Sequence, residues 1–489
     1  MITLYTNFRW AFTGELQAML VEDGRVLRRG PMAQIAEMRS GVVEDLGGNL
    51  LAPAFIDAHC HILPTGLDLQ KLNLSECGSP EAVLEAVAAR HRELEPGEWL
   101  LAVHYDQTKY PGGTHLHRNQ LDAISKDRPI LLRHSNGHAS VANTATLERA
   151  QVTRDTPNPK GGEFVRDHEG ELTGVLLEHA HERVTSAAPS PTLEQMVDAI
   201  LAAGAKMADL GIIAATDMMT GRYNLRRELE AYRIAGERGC VIQTRLCIQW
   251  AERHGPRASH VEDLIEALDP ATCRVWGTKI FADGAIGSAT AKISGSYVSQ
   301  PGTDGQLIYA PDRLKKMVQV AHDAGERIAI HSIGDAATDL VMDAYEALDE
   351  PSRHRIEHAM ILSDPQIERM AKLGIHCTMQ PEFLIRFGHS YKHHLGSERA
   401  SRLKRFRSVK DAGIPLSFSS DRPIVPGDPA TGVRCGCSRP AGFDPAENLT
   451  WEESLEAYTH MGAVANNDDD MGNLEPGQPA RFMIVGREV

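Results

Sequence analysis

The sequence lacks several features that mark particular classes of protein. It contains no apolar run on the order of 18 residues, so nothing in it predicts a transmembrane helix. Residues 1–7 include no basic segment followed by an apolar one, so we expect no secretory signal. There is no long basic block, and 66 acidic residues outnumber 51 basic ones. Nucleic acid and membrane are therefore not expected partners.

Cysteine and aromatic residues are also scarce. The eight cysteines show no disulfide-framework spacing for a chain of 489 residues, so we expect reduced thiols and a cytoplasmic location. Cys435 and Cys437 form a C-x-C pair without a second pair, and we interpret them as free thiols rather than a soft metal site. Aromatic residues make up only 5% of the chain, which favours an aliphatic α/β core.

The chain does contain a repeated order of helix, glycine and apolar strand. Helical patterns at 314–324, 364–373 and 403–412 are each followed by a glycine that predicts a stop. Short apolar strands are predicted at 49–56, 212–216, 243–248, 274–281, 327–330, 355–357, 375–379 and 415–419. Eight strands alternating with helices predict an α/β fold, a (β/α)8 TIM barrel, whose chemistry lies at the carboxyl ends of the strands.

Two parts of the chain do not fit the barrel, which we place at 53–67 and 191–473. Residues 1–52 and 474–489 have short strand patterns, with a turn at Asp23-Gly24 and a returning strand near 481–485, and they predict a small terminal β-sandwich. Residues 68–190 contain Gly- and Pro-rich turns and β-like runs. We interpret them as an inserted β-rich subdomain, because a structureless loop of that size is uncommon inside a compact domain.

Residue types that bind metal ions recur at the ends of the predicted strands. His59 and His61 form an H-x-H pair after the first apolar run, and alternation along a strand directs both imidazoles to one side. Cys60, between them, is expected to point the other way into packing. Imidazoles and carboxylates suit zinc and similar divalent ions. Six residues are therefore predicted to form a site for one or two metals: His59, His61, Lys279, His331, His358 and Asp421.

The chemistry of these residues favours hydrolysis. Lys279 lies in an apolar run, where a neutral amine is able to form a carbamate with carbon dioxide and so provide a bridging carboxylate. Two cations that share a water lower its pKa and polarise a carbonyl group. Asp421, after the last strand, is placed to take a proton from that water and pass it to a leaving amine.

Each of these residues also has an ordinary structural interpretation. Lys279 would be a surface or salt-bridged lysine, and His331 and His358 would be satisfied histidines of the core. Asp421, before Arg422-Pro423, would be a helix N-cap. The shared position at strand ends favours a common site over these separate explanations.

Several motifs resemble the amidohydrolase superfamily. Residues 53–61, Pro-Ala-Phe-Ile-Asp-Ala-His-Cys-His, are similar to its opening motif. The segments at 279–288, 331–335, 355–358 and 420–423 resemble its YtcJ-like branch, which includes N-substituted formamide deformylase. The resemblance covers nearly the whole chain and implies a (β/α)8 barrel, a β-sandwich from both termini and an inserted β-rich subdomain. It also implies the roles of the site residues: His59 and His61 on one metal, His331 and His358 on the other, Lys279 bridging, and Asp421 as ligand and proton shuttle.

The resemblance implies a metal-dependent hydrolase that cleaves an amide-type C–N bond in an N-acyl, N-formyl or cyclic amide. One alternative is a heterocyclic or aromatic deaminase, although such relatives place Glu where this chain has Gly334. Another is an inert scaffold, which would have lost metal ligands. Asn136 and His138, in a turn of the insertion, are predicted to contact a small-molecule substrate. We expect a homodimer, the commonest symmetric assembly.

Overall fold

A computed structural model describes residues 1–35, 38, 41–110, 112–135 and 137–486. The chain forms two compact units, one made of Met1–Leu63 with Ile200–Val489 and the other of Pro64–Ala199. The boundaries of 68 and 190 given above for an inserted subdomain stay a prediction.

The first unit is built on an eight-stranded sheet in which all neighbouring strands are parallel. Its strands are paired in an order that follows the chain, from first to eighth, as a barrel requires. In chain order they are Phe55–Cys60, Ile212–Thr220, Gln243–Gln249, Cys273–Phe281, Arg327–Ser332, Arg355–His358, His376–Met379 and Leu416–Phe418.

The first and eighth strands nearly close the barrel. The Asp421 N–H donates to the His59 carbonyl at 2.8 Å, and the His61 N–H donates to the Arg422 carbonyl at 2.8 Å. The buried Asp57 carboxylate accepts hydrogen bonds from the Ser420 N–H, at 3.0 Å, and from its hydroxyl group. These contacts bring the residues after the eighth strand against the carboxyl end of the first.

Glycine ends three of the barrel helices as predicted. The observed helices are Pro311–Asp323, Asp364–Leu373 and Phe406–Asp411. Gly325, Gly374 and Gly413 follow them with φ of 77°, 65° and 77°, a left-handed conformation that costs glycine little. The other helices of this unit beyond residue 200 are Leu225–Glu237, Trp250–Arg253, Glu262–Glu266, Asp335–Glu346, Phe383–Leu395, Ser397–Ser401, Pro429–Cys437, Trp451–Tyr458 and His460–Asn466.

The predicted first strand at 49–56 is wrong as a single element. The structure divides this region into Leu50–Pro53, which belongs to a terminal sheet, and Phe55–Cys60, which belongs to the barrel. Ala54 lies at the break, and its N–H donates to the Arg481 carbonyl at 3.0 Å. The sequence does not reveal this change of sheet, because residues on both sides of Ala54 are apolar and buried.

The terminal segments form one six-stranded sheet. Its strands are Ile2–Trp10, Leu16–Glu22, Arg25–Pro31, Val42–Asp45, Leu50–Pro53 and Phe482–Val485. The predicted returning strand is confirmed, since Phe482–Val485 pairs antiparallel with Leu50–Pro53. The predicted turn at Asp23-Gly24 is also confirmed, with positive φ at both residues, as tight hairpins require. The second layer that a β-sandwich needs stays a prediction.

The unit Pro64–Ala199 has its own six-stranded sheet with apolar residues packed into two clusters. The strands are Leu72–Asn73, Leu100–Tyr105, Ile130–His134, Ala139–Ala142, Gly162–Arg166 and Leu172–Glu178. Its helices are Pro80–Glu93, Arg118–Asp122, Thr144–Arg149 and His179–Thr185. Two more helices, Ile62–Leu69 and Leu193–Ala208, contain the chain boundaries between the two units. The short helix Met32–Ile35 belongs to the amino-terminal segment. Among the described residues, no helix is both long and apolar enough to span a membrane.

A largely buried carboxylate, that of Glu326, lies directly before the fifth barrel strand. Glu326 accepts hydrogen bonds from Arg253 Nε at 2.8 Å and from the Thr278 hydroxyl group, and its other contact is His254 Nε2 at 3.0 Å. Burial alone would raise the pKa of Glu326, but these partners hold it at about 2.

We expect Glu326→Gln to destabilise the protein by about 2–3 kcal/mol at pH 7. Because the folded-state pKa lies below the ordinary value of 4.5, the ionised carboxylate stabilises the fold above pH 4.5 and loses this effect as the pH falls toward 2. Denaturant unfolding at pH 7 and pH 3 would measure the cost, with the exposed Glu350→Gln as control. An equal cost at both pH values would contradict the electrostatic explanation.

Candidate metal centre

The H-x-H pair lies at the carboxyl end of the first barrel strand. His59 is buried within the strand, and His61 follows its last residue. Their ring centroids are 5.7 Å apart, so strand alternation places both imidazoles on one side. Cys60 points the other way, and its buried thiol donates to the Thr216 carbonyl on the neighbouring strand. The packing role predicted for Cys60 is confirmed.

Asp421 follows the eighth strand, at the other edge of the sheet from the first, and its side chain contacts both histidines. Its Oδ1 lies 2.9 Å from His61 Nε2 and 3.4 Å from His59 Nε2. The three side chains offer ligand atoms that all lie within 4.8 Å of one another. Asp421 is not a helix N-cap, because the next helix begins at Pro429 and is capped by Asp428. The alternative interpretation of Asp421 is therefore wrong.

Two further histidines reach the same region from the fifth and sixth strands. The His331 and His358 rings are 4.6 Å apart, and the His358 and His59 rings are 4.7 Å apart. The backbone of His358 has φ of 74°, so the chain leaves the extended conformation at this residue. The barrel thus brings together four imidazoles from the first, fifth and sixth strands.

Lys279 lies on the fourth strand, between these groups, and is 1% exposed. Its Nζ has no hydrogen-bond partner among the described residues and lies 5.0 Å from the centre of the Phe281 ring. Burial lowers the pKa of Lys279, although the negative charge of Glu357 partly opposes this effect. The surface or salt-bridged interpretation of Lys279 is wrong. A buried amine without a hydrogen-bond partner is costly, so this position favours an Nζ that gains a partner when another group binds there.

In His59, His331 and His358, one nitrogen of each ring has a hydrogen-bond partner. His59 Nδ1 is 2.5 Å from Glu357 Oε2, and His358 Nδ1 is 2.8 Å from Gln380 Oε1. His331 Nε2 is 2.9 Å from the Gly284 carbonyl oxygen. Since each partner is an acceptor, these nitrogens carry hydrogen. In the neutral form of each ring the lone pair is then on Nε2 of His59, Nε2 of His358 and Nδ1 of His331, which is the arrangement that metal-binding histidines need.

Glu357 is a site residue that the sequence analysis missed. Its second oxygen accepts from Arg355 Nε at 2.5 Å, and Arg355 also donates to the Ala58 carbonyl at 2.7 Å. Burial would raise the pKa of Glu357, but the charges of Arg355 and His59 hold it at about 2. The sequence did contain a signal for Glu357: residues two apart share a side of a strand, so Arg355 and Glu357 were expected to point the same way. Neighbouring His358 also faces the site because its backbone turns there.

The electrostatics of the site favour neutral imidazoles at His331 and His358 and an ionised carboxylate at Asp421. Burial and the neighbouring Lys279 lower the pKa of His331 to about 3. Burial and the adjacent imidazoles hold the pKa of His358 well below its ordinary value. Burial alone would raise the pKa of Asp421, but His59 and His61 hold it well below its ordinary range. Neutral imidazole and ionised carboxylate are the forms that bind divalent ions, so this donor set fits such an ion.

Other predicted residues lie elsewhere. Cys435 and Cys437 do not form a shared site, because their thiols donate to separate carbonyl oxygens, those of Pro381 and Val433. His138 belongs to the unit Pro64–Ala199, where its Nδ1 is 3.1 Å from Glu178 Oε2. Asn136 lies outside the described residues. The substrate-binding roles of both stay predictions.

The chain is similar to several known proteins. The model of the amidohydrolase family matches residues 42–489. The putative amidohydrolase YtcJ of Bacillus subtilis is 28% identical over 485 residues, covering 96% of this chain and 90% of that protein. N-substituted formamide deformylase of Arthrobacter pascens is 29% identical over 500 residues, covering 96% and 90%. The crystal structure of an uncharacterized metal-dependent hydrolase from Pyrococcus horikoshii OT3 has a TM-score of 0.80 and 26% identity, covering 100% and 98%.

Proposed function

The chain belongs to the amidohydrolase family, and from that premise we propose that it is a metal-dependent hydrolase of a small molecule with an amide-type C–N bond. The observation that carries this proposal is the group formed by His59, His61 and Asp421, with His331 and His358 beside it. The similarity to an amidohydrolase, a formamide deformylase and a metal-dependent hydrolase supports it.

We assign the metal-binding role to six residues. His59, His61 and Asp421 would hold one divalent ion, and His331 and His358 would hold a second. Zinc suits this set of nitrogen and oxygen donors. Lys279 would complete the site as a carbamate that bridges the two positions. Formation of the carbamate joins the neutral Nζ to the carbon of carbon dioxide and releases one proton, and the lowered pKa of Lys279 favours the neutral amine.

The reaction adds water across the C–N bond. When bound, a divalent ion lowers the pKa of a water and polarises the carbonyl group to be attacked. The water oxygen bonds to the carbonyl carbon, the C–N bond breaks, and a proton moves to the leaving nitrogen. We assign this proton transfer to Asp421, whose carboxylate is ionised and lies between the two H-x-H imidazoles.

The geometry near the fifth strand favours amide hydrolysis over deamination. The position that carries Glu in the deaminases is Gly334, and a Cβ atom there would lie 1.9 Å from the Lys292 carbonyl oxygen. No side chain fits at this position without a backbone shift. The next residue, Asp335, begins a helix and accepts from the Ser294 N–H at 2.8 Å.

An activity screen tests this function. The purified protein would be assayed for metal content and for turnover of N-formyl amines, N-acyl amino acids, cyclic amides and lactones, with ammonia release from heterocyclic amines measured in parallel. We expect one or two divalent ions per chain and turnover of at least one amide class. Removal of the metal by a chelator should abolish turnover, and zinc should restore it.

Three results would contradict the proposal in different ways. A protein without stoichiometric metal would favour the inert scaffold. Ammonia release as the main activity would favour the deaminase. Turnover that survives complete metal removal would exclude metal-dependent chemistry.

We also propose that His138 binds substrate and not metal. Its side chain is 49% exposed, and the hydrogen bond that it donates to the Glu178 carboxylate raises its pKa, so it offers a donor to a substrate oxygen. We expect His138→Ala to lower kcat/KM by about tenfold without reducing bound metal. His168→Ala, an exposed histidine of the same unit, is the control. A loss of metal would make His138 a ligand, and unchanged kinetics would remove it from the site.

A further inference from the structure

A second buried lysine lies behind the candidate metal centre. Lys404 has no exposed surface, and its Nζ donates to the His358 carbonyl at 3.0 Å and to Gln380 Oε1 at 2.8 Å. The Phe383 ring covers it, with the ring centre 5.4 Å from Nζ. Lys279 has no such partners, so the two buried lysines differ in kind. Lys404 belongs to a hydrogen-bonded network that ends at a candidate ligand.

Gln380 connects Lys404 to the imidazole of His358. It follows the seventh strand and is fully buried. Its Oε1 is 2.8 Å from Lys404 Nζ and 2.8 Å from His358 Nδ1, while its Nε2 donates to the Ser419 hydroxyl group at 3.0 Å. One amide oxygen therefore serves two neighbours, and the amide nitrogen has a third.

Hydrogen bonds at both ends of the Gln380 side chain decide which way this amide faces. An amide side chain alone is able to present either its oxygen or its nitrogen to His358, because the two ends have nearly the same shape. Lys404 Nζ donates to one end of the amide, and the Ser419 hydroxyl group, which donates its hydrogen to the Met379 carbonyl at 3.3 Å, accepts from the other end, so the oxygen faces Lys404. Because the same oxygen faces His358, Nδ1 of that ring must carry the hydrogen. The Nε2 atom of His358 then keeps its lone pair.

We propose that Lys404 and Gln380 are positioning residues that hold His358 in the tautomer and orientation that bind metal. Lys404 acts at two points, since it orients the Gln380 amide and also anchors the His358 carbonyl where the backbone has φ of 74°. This inference rests on the proposed function, in which His358 is a ligand. Partners of this kind typically change metal affinity by about 10–100-fold.

The test compares zinc affinity among matched variants, measured by competition with a chromophoric chelator, and the visible absorption of the cobalt-substituted protein. Lys404→Met removes the amine and keeps an unbranched apolar chain. Gln380→Met removes the acceptor. Gln380→Glu keeps an acceptor for both His358 and Lys404. Lys410→Met, on the helix Phe406–Asp411, is the control for loss of a lysine elsewhere.

We expect Lys404→Met and Gln380→Met to weaken zinc binding about 10–100-fold and to change the cobalt spectrum. Gln380→Glu and Lys410→Met should bind zinc within about threefold of the parent protein, which is well under the tenfold lower bound of that effect. If Lys404→Met fails to fold, the contrast between Gln380→Met and Gln380→Glu decides the question by itself. A role in folding alone would lower the unfolding midpoint and leave zinc affinity unchanged in the folded variants.

Two results distinguish failure of this inference from failure of the proposed function. If the parent protein binds zinc and His358→Ala weakens binding, but Lys404→Met and Gln380→Met do not, the positioning role is overturned and the metal site stands. If the parent protein binds no metal, the proposed function and this inference fail together.

Discussion

Asp421→Asn should lower turnover by at least about a hundredfold while the protein remains folded. The substitution keeps the size of the side chain but removes the negative charge that lies between His59 and His61. An amide oxygen is a poor proton acceptor, so transfer from water to the leaving nitrogen loses its carrier. Steady-state kinetics on the best substrate from the screen, together with metal content and thermal unfolding, would measure the effect.

The exposed Asp349→Asn provides the control for removing one acidic charge. If Asp421→Asn retains its metal and loses turnover, the carboxylate acts in proton transfer. If metal and turnover are lost together, its main role is that of a ligand. Near-normal turnover would show that the proton is carried by another group.

Lys279→Met should abolish metal-dependent turnover and leave the metal-free protein at least as stable as the parent. The stability follows from burial: an amine without a hydrogen-bond partner costs about 1–3 kcal/mol, and a methionine of similar length removes that cost. The activity follows from the proposed bridging role, since loss of the bridge should reduce the bound metal and lower turnover by at least about a hundredfold.

Chemical denaturation of the metal-free proteins, metal analysis and kinetics would test both parts, with the exposed Lys206→Met as control. Carbon-13 bicarbonate should give a carbamate signal in the parent protein that is absent in Lys279→Met. A short carboxylic acid added to Lys279→Ala should restore part of the turnover. A Lys279→Met protein with full metal content and full turnover would exclude Lys279 from the site.

Residue spacing and strand alternation were sufficient to predict much of the candidate site. H-x-H at a strand end was enough to direct His59 and His61 to one side, and the structure places them together. Glycine after an amphipathic helix marked helix ends at Gly325, Gly374 and Gly413. These are local properties, because three or four neighbouring residues set the periodicity and the backbone conformation.

Residues that act through others could not be assigned in the same way. Glu357 orients His59 across 298 positions of the chain, and Lys404 approaches Gln380 across 24. A lone glutamate, glutamine or lysine has no characteristic spacing relative to a ligand on another strand. The break at Ala54 was hidden for a related reason, since an apolar run looks the same whether one sheet or two bury it.

The sequence by itself determined the barrel, the family and the candidate ligands, because these depend on short-range patterns and on motifs at strand ends. Only the tertiary structure decided which side chains support the candidate ligands and which ring nitrogen of His59, His331 and His358 has a hydrogen-bond acceptor beside it. The physical reason is that a hydrogen bond in a buried site depends on distance and on the direction of donor and acceptor, and the closure of the sheet sets both. Lys279 illustrates the division: its position was predictable from its apolar run, but its lack of a partner appears only when the fourth strand is packed among its neighbours.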